Sequence, residues 1–110
     1  LPFLTACLNE TLRLYPALPE ITRLAQQDDV LSGYQVTRGS SVVVSLYSMH
    51  RHPAIWPRPD EWLPQRWMEA ADDDAEDRGP RSPNAFLPFG VGPRGCIGRN
   101  FSLLNMQVTV

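Results

Sequence analysis

The sequence has no excess of basic charge and very few cysteines. Ten Lys and Arg residues stand against twelve Asp and Glu residues, which gives a formal net charge of -2 over 110 residues. Nucleic-acid-binding domains usually carry a basic stripe, so this balance argues against a nucleic-acid partner. The two cysteines, Cys7 and Cys96, carry no disulfide framework, although a single bridge between them is possible. We expect two reduced thiols in an intracellular protein.

Long apolar runs and a leader are also missing. No stretch reaches the roughly eighteen apolar residues of a membrane span, and no charged-then-apolar leader marks a signal peptide. The chain starts at Leu1 without an initiator methionine and ends at Val110 inside an apolar periodic run. We therefore expect a fragment of a longer protein, with any membrane anchor outside this chain.

Apolar residues make up 43 % of the chain, enough for one small domain at most. Residues 1–15 predict a helix that ends at Pro16. Glu10 and Arg13, its only charged residues, lie roughly opposite an apolar stripe, on a side that also carries apolar residues. Two apolar sides and only two charges predict a buried helix. The stripe consists of Leu1, Leu4, Leu8, Leu12 and Tyr15.

The middle of the chain predicts strands. Within residues 20–48, the segments ITRLA and DDVLSGYQV are typical of short strands with turns. The segment YQVTRGSSVVVSLYSM predicts a hairpin that turns at Arg38-Gly39-Ser40 into a valine-rich strand. Residues 50–68 form a proline-broken segment with three tryptophans and one short helix.

The last third predicts a loop and a final module. Residues 69–83 contain six acids within nine residues, and we expect a solvated or disordered loop rather than an acidic binding tail. Residues 86–110 comprise a Gly-rich loop and a helix from about Ile97. The predicted fold class is therefore α+β, mainly α with a small β part. One helical face is formed by Ile97, Phe101, Leu104 and Val108.

Cys96 is the strongest candidate for chemistry. It follows the glycines and precedes the last helix, whose N-terminal dipole stabilises a thiolate. That pattern is typical of a metal ligand or a nucleophile, and a buried structural cysteine in a tight turn is an alternative that local chemistry leaves open. A cysteine hydrolase finds a base in His50 or His52 but leaves the glycines and Phe89 unexplained. A zinc site lacks the paired ligand spacings that structural zinc requires.

Three motifs carry a resemblance to a known family. FGVGPRGCIG, residues 89–98, fits F-x-x-G-x-R-x-C-x-G without a mismatch and resembles the haem-binding loop of the cytochrome P-450 family. ETLR, residues 10–13, matches its E-x-x-R helix. PQRW, residues 64–67, resembles its P-E-R-F segment, with Gln65 and Trp67 as departures. The motifs stand in the family's order, and the resemblance covers almost all of the chain except the acidic loop.

The resemblance implies a haem, iron protoporphyrin IX, with Cys96 as the axial ligand of its iron. A thiolate ligand pushes electron density toward iron and favours cleavage of the O–O bond. It also implies that Phe89 lies near the sulfur, that Gly92 lets the backbone turn, and that Gly98 lets the last helix approach the porphyrin. Arg94 would pair with a haem propionate.

Arg23 resembles the family's second propionate-binding arginine, with a surface strand arginine as the alternative. The resemblance further implies a buried structural triad of Glu10, Arg13 and Arg66. Its alternative is an exposed i,i+3 pair of Glu10 and Arg13, worth roughly 0.2–0.5 kcal/mol. The replacement of the family's acid by Gln65 puts the pairing around Arg66 in doubt. We interpret His50 as a hydrogen-bonded structural histidine.

The implied function is that of a C-terminal, proximal, incomplete portion of a haem-thiolate monooxygenase. Such an enzyme inserts one O2-derived oxygen atom into a small, apolar organic substrate, with electrons from a reductase. The alternatives are an inert, truncated haem-binding fragment and a haem-thiolate isomerase or peroxygenase of the same fold. We expect the fragment alone to be inactive. We also expect an intracellular location, and the endoplasmic-reticulum membrane is one candidate location for the full-length parent.

Overall fold

The computed structural model describes residues 1–68 and 82–110 and has an α+β architecture, as the sequence predicts. The acidic loop predicted over residues 69–83 lies outside the described residues except for its last two. The helices and strands are α1 (Pro2–Leu14), β1 (Glu20–Leu24), β2 (Asp29–Leu31), β3 (Tyr34–Val36), β4 (Ser41–Ser45), α2 (Leu46–Met49) and α3 (Arg99–Thr109). Short 3-10 helices cover Pro64–Trp67, Pro83–Ala85 and Gly92–Arg94.

The described strands form two separate antiparallel pairs, and the predicted hairpin over residues 34–49 is wrong. Strand β1 pairs with β4, and β2 pairs with β3. The reason lies at Ser32 and Gly33, whose φ values of 51° and 88° close a two-residue turn directly between β2 and β3. Strand β4 then pairs with β1, and the predicted last strand ends at Ser45, where α2 takes over.

Helix α1 is buried on the side of its charges. Glu10 and Arg13 are fully buried, whereas Leu1 and Tyr15 on the predicted stripe are 93 % and 70 % exposed. The predicted burial is therefore confirmed for one side only. The charged side packs against the 3-10 helix Pro64–Trp67, whereas the middle of the stripe is only half-buried. The buried apolar residues of the described chain are Ala6, Leu14, Leu46, Trp56 and Ala85.

Helix α3 begins at Arg99, two residues later than predicted, with Gly98 as its N-cap. It contacts α1, yet none of its residues is buried, and Phe101 on its apolar face is 75 % exposed. None of the helices described in residues 1–68 and 82–110 has the length and apolar content to cross a membrane.

Candidate functional site

Two charged side chains of the first helix meet a third, Arg66, that comes from the 3-10 helix Pro64–Trp67. The Glu10 carboxylate accepts two hydrogen bonds from Arg13, from Nε at 2.9 Å and from Nη2 at 2.8 Å. It also accepts one from Arg66 Nε at 3.1 Å. All three side chains are fully buried. The structure therefore brings the predicted triad together, and the alternative of an exposed i,i+3 pair does not apply.

Two further groups donate to the same carboxylate. The indole N–H of Trp67 lies 2.9 Å from Glu10 Oε2, and the backbone N–H of Leu63 lies 3.0 Å from Oε1. Burial by itself raises the pKa of Glu10, but the hydrogen bonds from Arg13, Leu63 and Trp67 outweigh it and lower this pKa from its usual value. Glu10 is consequently held as a carboxylate.

The other N–H groups of the two guanidinium groups bind the proline-rich segment, residues 50–68. Arg13 Nη1 donates to the carbonyl oxygens of His50 and Pro59, at 2.8 and 2.6 Å, and Nη2 donates to that of Glu61 at 3.0 Å. Arg66 donates to carbonyl oxygens of the same segment. An arginine presents five donors in a fixed fork, which suits it to hold several loop carbonyls at once.

An aromatic floor supports the cluster. The ring of Trp56, which is fully buried, lies 5.2 Å from the guanidinium carbon of Arg13 and 6.0 Å from that of Arg66. Its indole N–H donates to the Met49 carbonyl at 3.2 Å. Cations near a desolvated indole ring gain from its quadrupole. The charges are thus packed as well as paired.

The two departures from the P-E-R-F pattern have different structural consequences. Gln65 is exposed, so the missing acid at this position does not reach the buried cluster. Trp67 packs against Phe86, with ring centroids 4.5 Å apart, and adds the N–H that a phenylalanine lacks. From the sequence, Trp67 is only a departure from the P-E-R-F pattern. The indole donor was the available signal for a hydrogen bond to the cluster.

The loop that carries Cys96 is closed by its own backbone. The Cys96 N–H donates to the Phe89 carbonyl at 2.8 Å, and the Gly95 N–H donates to the Gly92 carbonyl at 2.9 Å. Gly92 has a φ of +71°, which strains any residue with a Cβ, so its predicted role in the turn has a conformational basis. Backbone hydrogen bonds within the loop therefore hold the main chain at Cys96.

One cavity of about 520 Å³ joins this loop to the first sheet and the first helix. Cys96, Phe89 and Arg94 line it from the loop, and Arg23 lines it from β1. Apolar side chains form much of its remaining wall, namely Leu12, Leu18, Ile21, Leu46 and Ile97. The structure thus brings two arginines and a thiol to one largely apolar space.

The remaining predicted loop residues lie at the edge of this cavity or beside it. Gly92 lines a neighbouring groove of about 270 Å³ that Cys96 also borders. A Cβ on Gly98 would stand 3.9 Å from Cys96 Sγ, an ordinary contact, so nothing within the described chain requires a glycine there. Cys96 does not directly precede a helix, because α3 begins only at Arg99.

The alternatives for the two cysteines can be compared with the structure. Cys96 is exposed and Cys7 is half-buried, and both thiols are free, so neither the disulfide nor the buried structural Cys96 is present. No group of three His, Cys, Asp or Glu side chains suited to a metal ion occurs within residues 1–68 and 82–110. Cys96 is thus a free, exposed cysteine at the edge of the cavity.

His50 is the histidine that the structure incorporates into the fold. It is fully buried, and its Nε2 accepts a hydrogen bond from the Leu87 N–H at 3.1 Å, as expected of a hydrogen-bonded structural histidine. Burial, followed by the positive charges of Arg13 and Arg51, lowers the pKa of His50 to about 4. His52 is exposed. Sequence reasoning did not foresee the contact between His50 and the segment before the cysteine loop.

Comparison with known proteins places this arrangement in a family. The family model described as Cytochrome P-450 matches residues 1–110. Cytochrome P-450 4F2 of Homo sapiens is 42 % identical over 111 residues, which cover 100 % of this chain and 20 % of that protein. Cytochrome P-450 4F5 of Rattus norvegicus is 41 % identical with the same coverage.

Cytochrome P-450 3A16 of Mus musculus is 39 % identical over 98 % of this chain and 20 % of its own length. The chain thus spans about a fifth of the length of the curated relatives that it matches. With a family model that matches every residue and relatives near 40 % identity, the chain belongs to the cytochrome P-450 family.

Proposed function

We propose that this chain is the C-terminal, proximal portion of a haem-thiolate monooxygenase and that Cys96 is the axial ligand of the haem iron. The whole protein would insert one O2-derived oxygen atom into a small, apolar organic substrate, with electrons from a reductase. The observation that carries the proposal is the convergence of Cys96, Arg23 and Arg94 on one largely apolar cavity.

The residues around that cavity fit a haem. A porphyrin needs an apolar slot, its propionates need cations, and its iron needs a donor atom at the cavity wall. Arg23 donates to its neighbour's carbonyl, Thr22 O, at 3.0 Å. No ion pair joins Arg23 or Arg94 to a carboxylate within the described parts of the chain. Their guanidinium groups can therefore hold the two propionates, as charge-assisted pairs.

When bound, the haem supplies the oxygen chemistry, which a thiolate ligand promotes. The chain's own part is to hold that ligand. The bond from the Cys96 N–H to the Phe89 carbonyl closes the loop, and Phe89 lines the same cavity as the sulfur. Leu12 brings a wall of the cavity from α1, whose position is fixed by the charge cluster on its other side.

The ligand assignment has a spectroscopic test. The full-length protein is loaded with haem, reduced and exposed to carbon monoxide, and its Soret band is recorded for the wild type, Cys96→Ala and Cys96→His. A thiolate-ligated haem gives a strongly red-shifted band, which both variants are expected to abolish. Cys7→Ala is the matched control, because Cys7 lies in α1 and borders neither the cavity nor the loop groove. Retention of the band in Cys96→Ala would overturn the assignment.

A further inference from the structure

We propose that His50 is a positioning residue that links the buried charge cluster to the loop carrying Cys96. Its backbone and its side chain each hold one of the two regions. The consequence for haem ligation rests on the proposed role of Cys96, whereas the contact itself is tested below without haem.

The backbone of His50 is fixed from the side of the cluster. Its carbonyl oxygen accepts from Arg13 Nη1 at 2.8 Å, inside the network that Glu10 holds together. Its own N–H donates to the Leu46 carbonyl at 2.9 Å, as the last bond of α2. The carbonyl oxygen and the N–H of His50 are therefore both hydrogen-bonded, which fixes the backbone from which the imidazole extends.

The imidazole of His50 reaches the segment that leads into the cysteine loop. Nε2 accepts from the Leu87 N–H at 3.1 Å, and the Phe86 ring packs on the imidazole with centroids 5.3 Å apart. The Leu87 carbonyl accepts from the Gly90 N–H at 3.0 Å, which starts the turn. The Phe89 carbonyl, two residues after Leu87, accepts from the Cys96 N–H. The backbone hydrogen bonds of this turn thus connect the His50–Leu87 contact to Cys96.

The other ring nitrogen indicates why a histidine stands at this position. If Nε2 accepts from Leu87, the neutral ring carries its proton on Nδ1, and Nδ1 is buried with no partner in the described parts of the chain. An orphaned buried donor is unfavourable. A leucine here would avoid that loss but would leave the Leu87 N–H without its acceptor. The arrangement favours the Leu87 contact over the satisfaction of Nδ1.

Burial and the charges that face the ring keep it an acceptor. Burial lowers the pKa of His50 most, and the positive charges of Arg13 from α1 and Arg51 from the adjoining turn lower it further. A protonated imidazole would present an N–H to the Leu87 N–H and break the contact. With the pKa at about 4, the ring stays neutral under ordinary conditions. Burial keeps the ring neutral, and Arg13 of the cluster, which also fixes the His50 backbone, adds to that effect.

The test uses the full-length protein with His50→Leu, which removes the acceptor, and His50→Gln, which offers an oxygen near the place of Nε2. Amide hydrogen exchange resolved at Leu87, measured in the haem-free protein, is expected to be at least about tenfold faster in His50→Leu. Exchange close to that of the wild type is expected in His50→Gln. Unchanged exchange in His50→Leu, or equal acceleration in both variants, would overturn the proposal.

The consequence at the haem is measured separately in the loaded protein. His50→Leu is expected to lose part of the red-shifted carbon monoxide band, and His50→Gln is expected to restore it. Cys96→Ala is expected to abolish that band while leaving exchange at Leu87 as in the wild type. If the wild type itself lacks the band, the proposed haem ligation fails, and exchange at Leu87 still decides the role of His50.

A measurement on the wild type covers the case in which His50→Leu does not fold. The 15N signal of His50 Nε2 at neutral pH is expected to be that of an unprotonated nitrogen, with a scalar coupling to the Leu87 amide across the hydrogen bond. A proton on Nε2 at neutral pH would overturn the proposal.

Discussion

The charge cluster behind α1 and the loop around Cys96 both contain arginine, but their polar groups lie in opposite environments. In the cluster, Arg13 and Arg66 are buried and pair with Glu10, and among the described residues they also donate to five loop carbonyls. In the loop, Arg94 and Cys96 are exposed and border a cavity. The cluster combines helix α1 with the proline-rich segment, whereas the loop is closed by backbone bonds of its own.

The difference separates groups that bond within the fold from groups that, under the proposed function, bind the haem. Buried polar groups without partners are unfavourable, so a region that bonds every one of its charges internally needs nothing from outside. A region whose arginines and thiol open onto an apolar space gains its contacts only when a complementary group fills that space. Variants should therefore act on stability in the first region and on haem retention in the second.

The largest effect is expected for Arg13→Ala. It leaves Glu10 with one of its two ionic partners and strands part of a buried charge, a loss of roughly 3–5 kcal/mol. That is a large share of the roughly 5–15 kcal/mol by which a domain is stable. We expect little soluble, haem-loaded protein, measured as expression yield and as the ratio of haem to protein.

Arg38→Ala is the matched control for this variant. Arg38 is exposed in the turn between β3 and β4, and its side chain makes no ion pair with the described residues. Yield and haem content should match those of the wild type. An Arg13→Ala protein with normal yield and haem content would remove the distinction between the two regions.

The next largest effect is expected from acid, which should lower the free energy of unfolding through groups on the side of the charge cluster. The pKa of His50 is lowered from 6.5 to about 4, so between these values the unfolded chain binds a proton that the folded chain does not. The contribution of His50 to the free energy of unfolding is complete above pH 6.5. It amounts to about 3 kcal/mol and is lost as the pH falls toward 4. The pKa of Glu10 is also lowered, so its contribution disappears at still more acidic pH. Urea midpoints measured from pH 7 to pH 4 give the slope.

His50→Gln should flatten this pH dependence above pH 4, because glutamine does not titrate. His52→Gln, a change at an exposed position, should leave the slope as in the wild type. If His50→Gln keeps the full slope, the loss of stability in acid comes from another group.

The sequence predicted α1, the cysteine loop and the members of the triad, because motif spacing and helical periodicity report on contacts within a segment or on a family pattern. It did not predict which side of α1 is buried. An apolar stripe usually marks the buried face, but here bidentate pairing lets Glu10 and Arg13 take that place. The indole bond of Trp67 and the reach of His50 to Leu87 depend on tertiary positions that no local pattern carries.

The strand error has a similar cause. The valines of β4 gave a strong strand signal, and the turn at Arg38-Gly39-Ser40 gave a nearby place to reverse. The Ser32-Gly33 pair was the better hairpin signal in the sequence. In the structure both residues take the positive φ that a two-residue hairpin turn requires. With β3 used by β2, β4 pairs with β1, and this pairing carries Arg23 to the cavity.

A smaller effect on the cluster is expected for Trp67→Phe, which restores the family's residue. The ring packing against Phe86 survives, but Glu10 Oε2 loses the indole donor. A hydrogen bond to a charged group contributes about 1.5–3 kcal/mol, and Glu10 keeps its other donors, so we expect a loss near 1.5 kcal/mol in urea unfolding. Trp62→Phe, which removes a bond to the Thr11 hydroxyl at a half-exposed position, should lose less. Equal losses would mean that the charge of Glu10 does not matter to this contact.

The smallest effect on stability is expected in the loop, with Arg94→Ala. Arg94 is exposed and pairs with no carboxylate among the described residues, so urea unfolding of the haem-free protein should change by no more than about 0.5 kcal/mol. If its guanidinium holds a propionate, the same change should speed the transfer of haem to an acceptor such as apomyoglobin, and Arg23→Ala should do likewise from the other side of the cavity. Arg38→Ala should alter neither quantity. A variant that unfolds more easily but keeps its haem would place Arg94 with the cluster, among the residues that hold the fold.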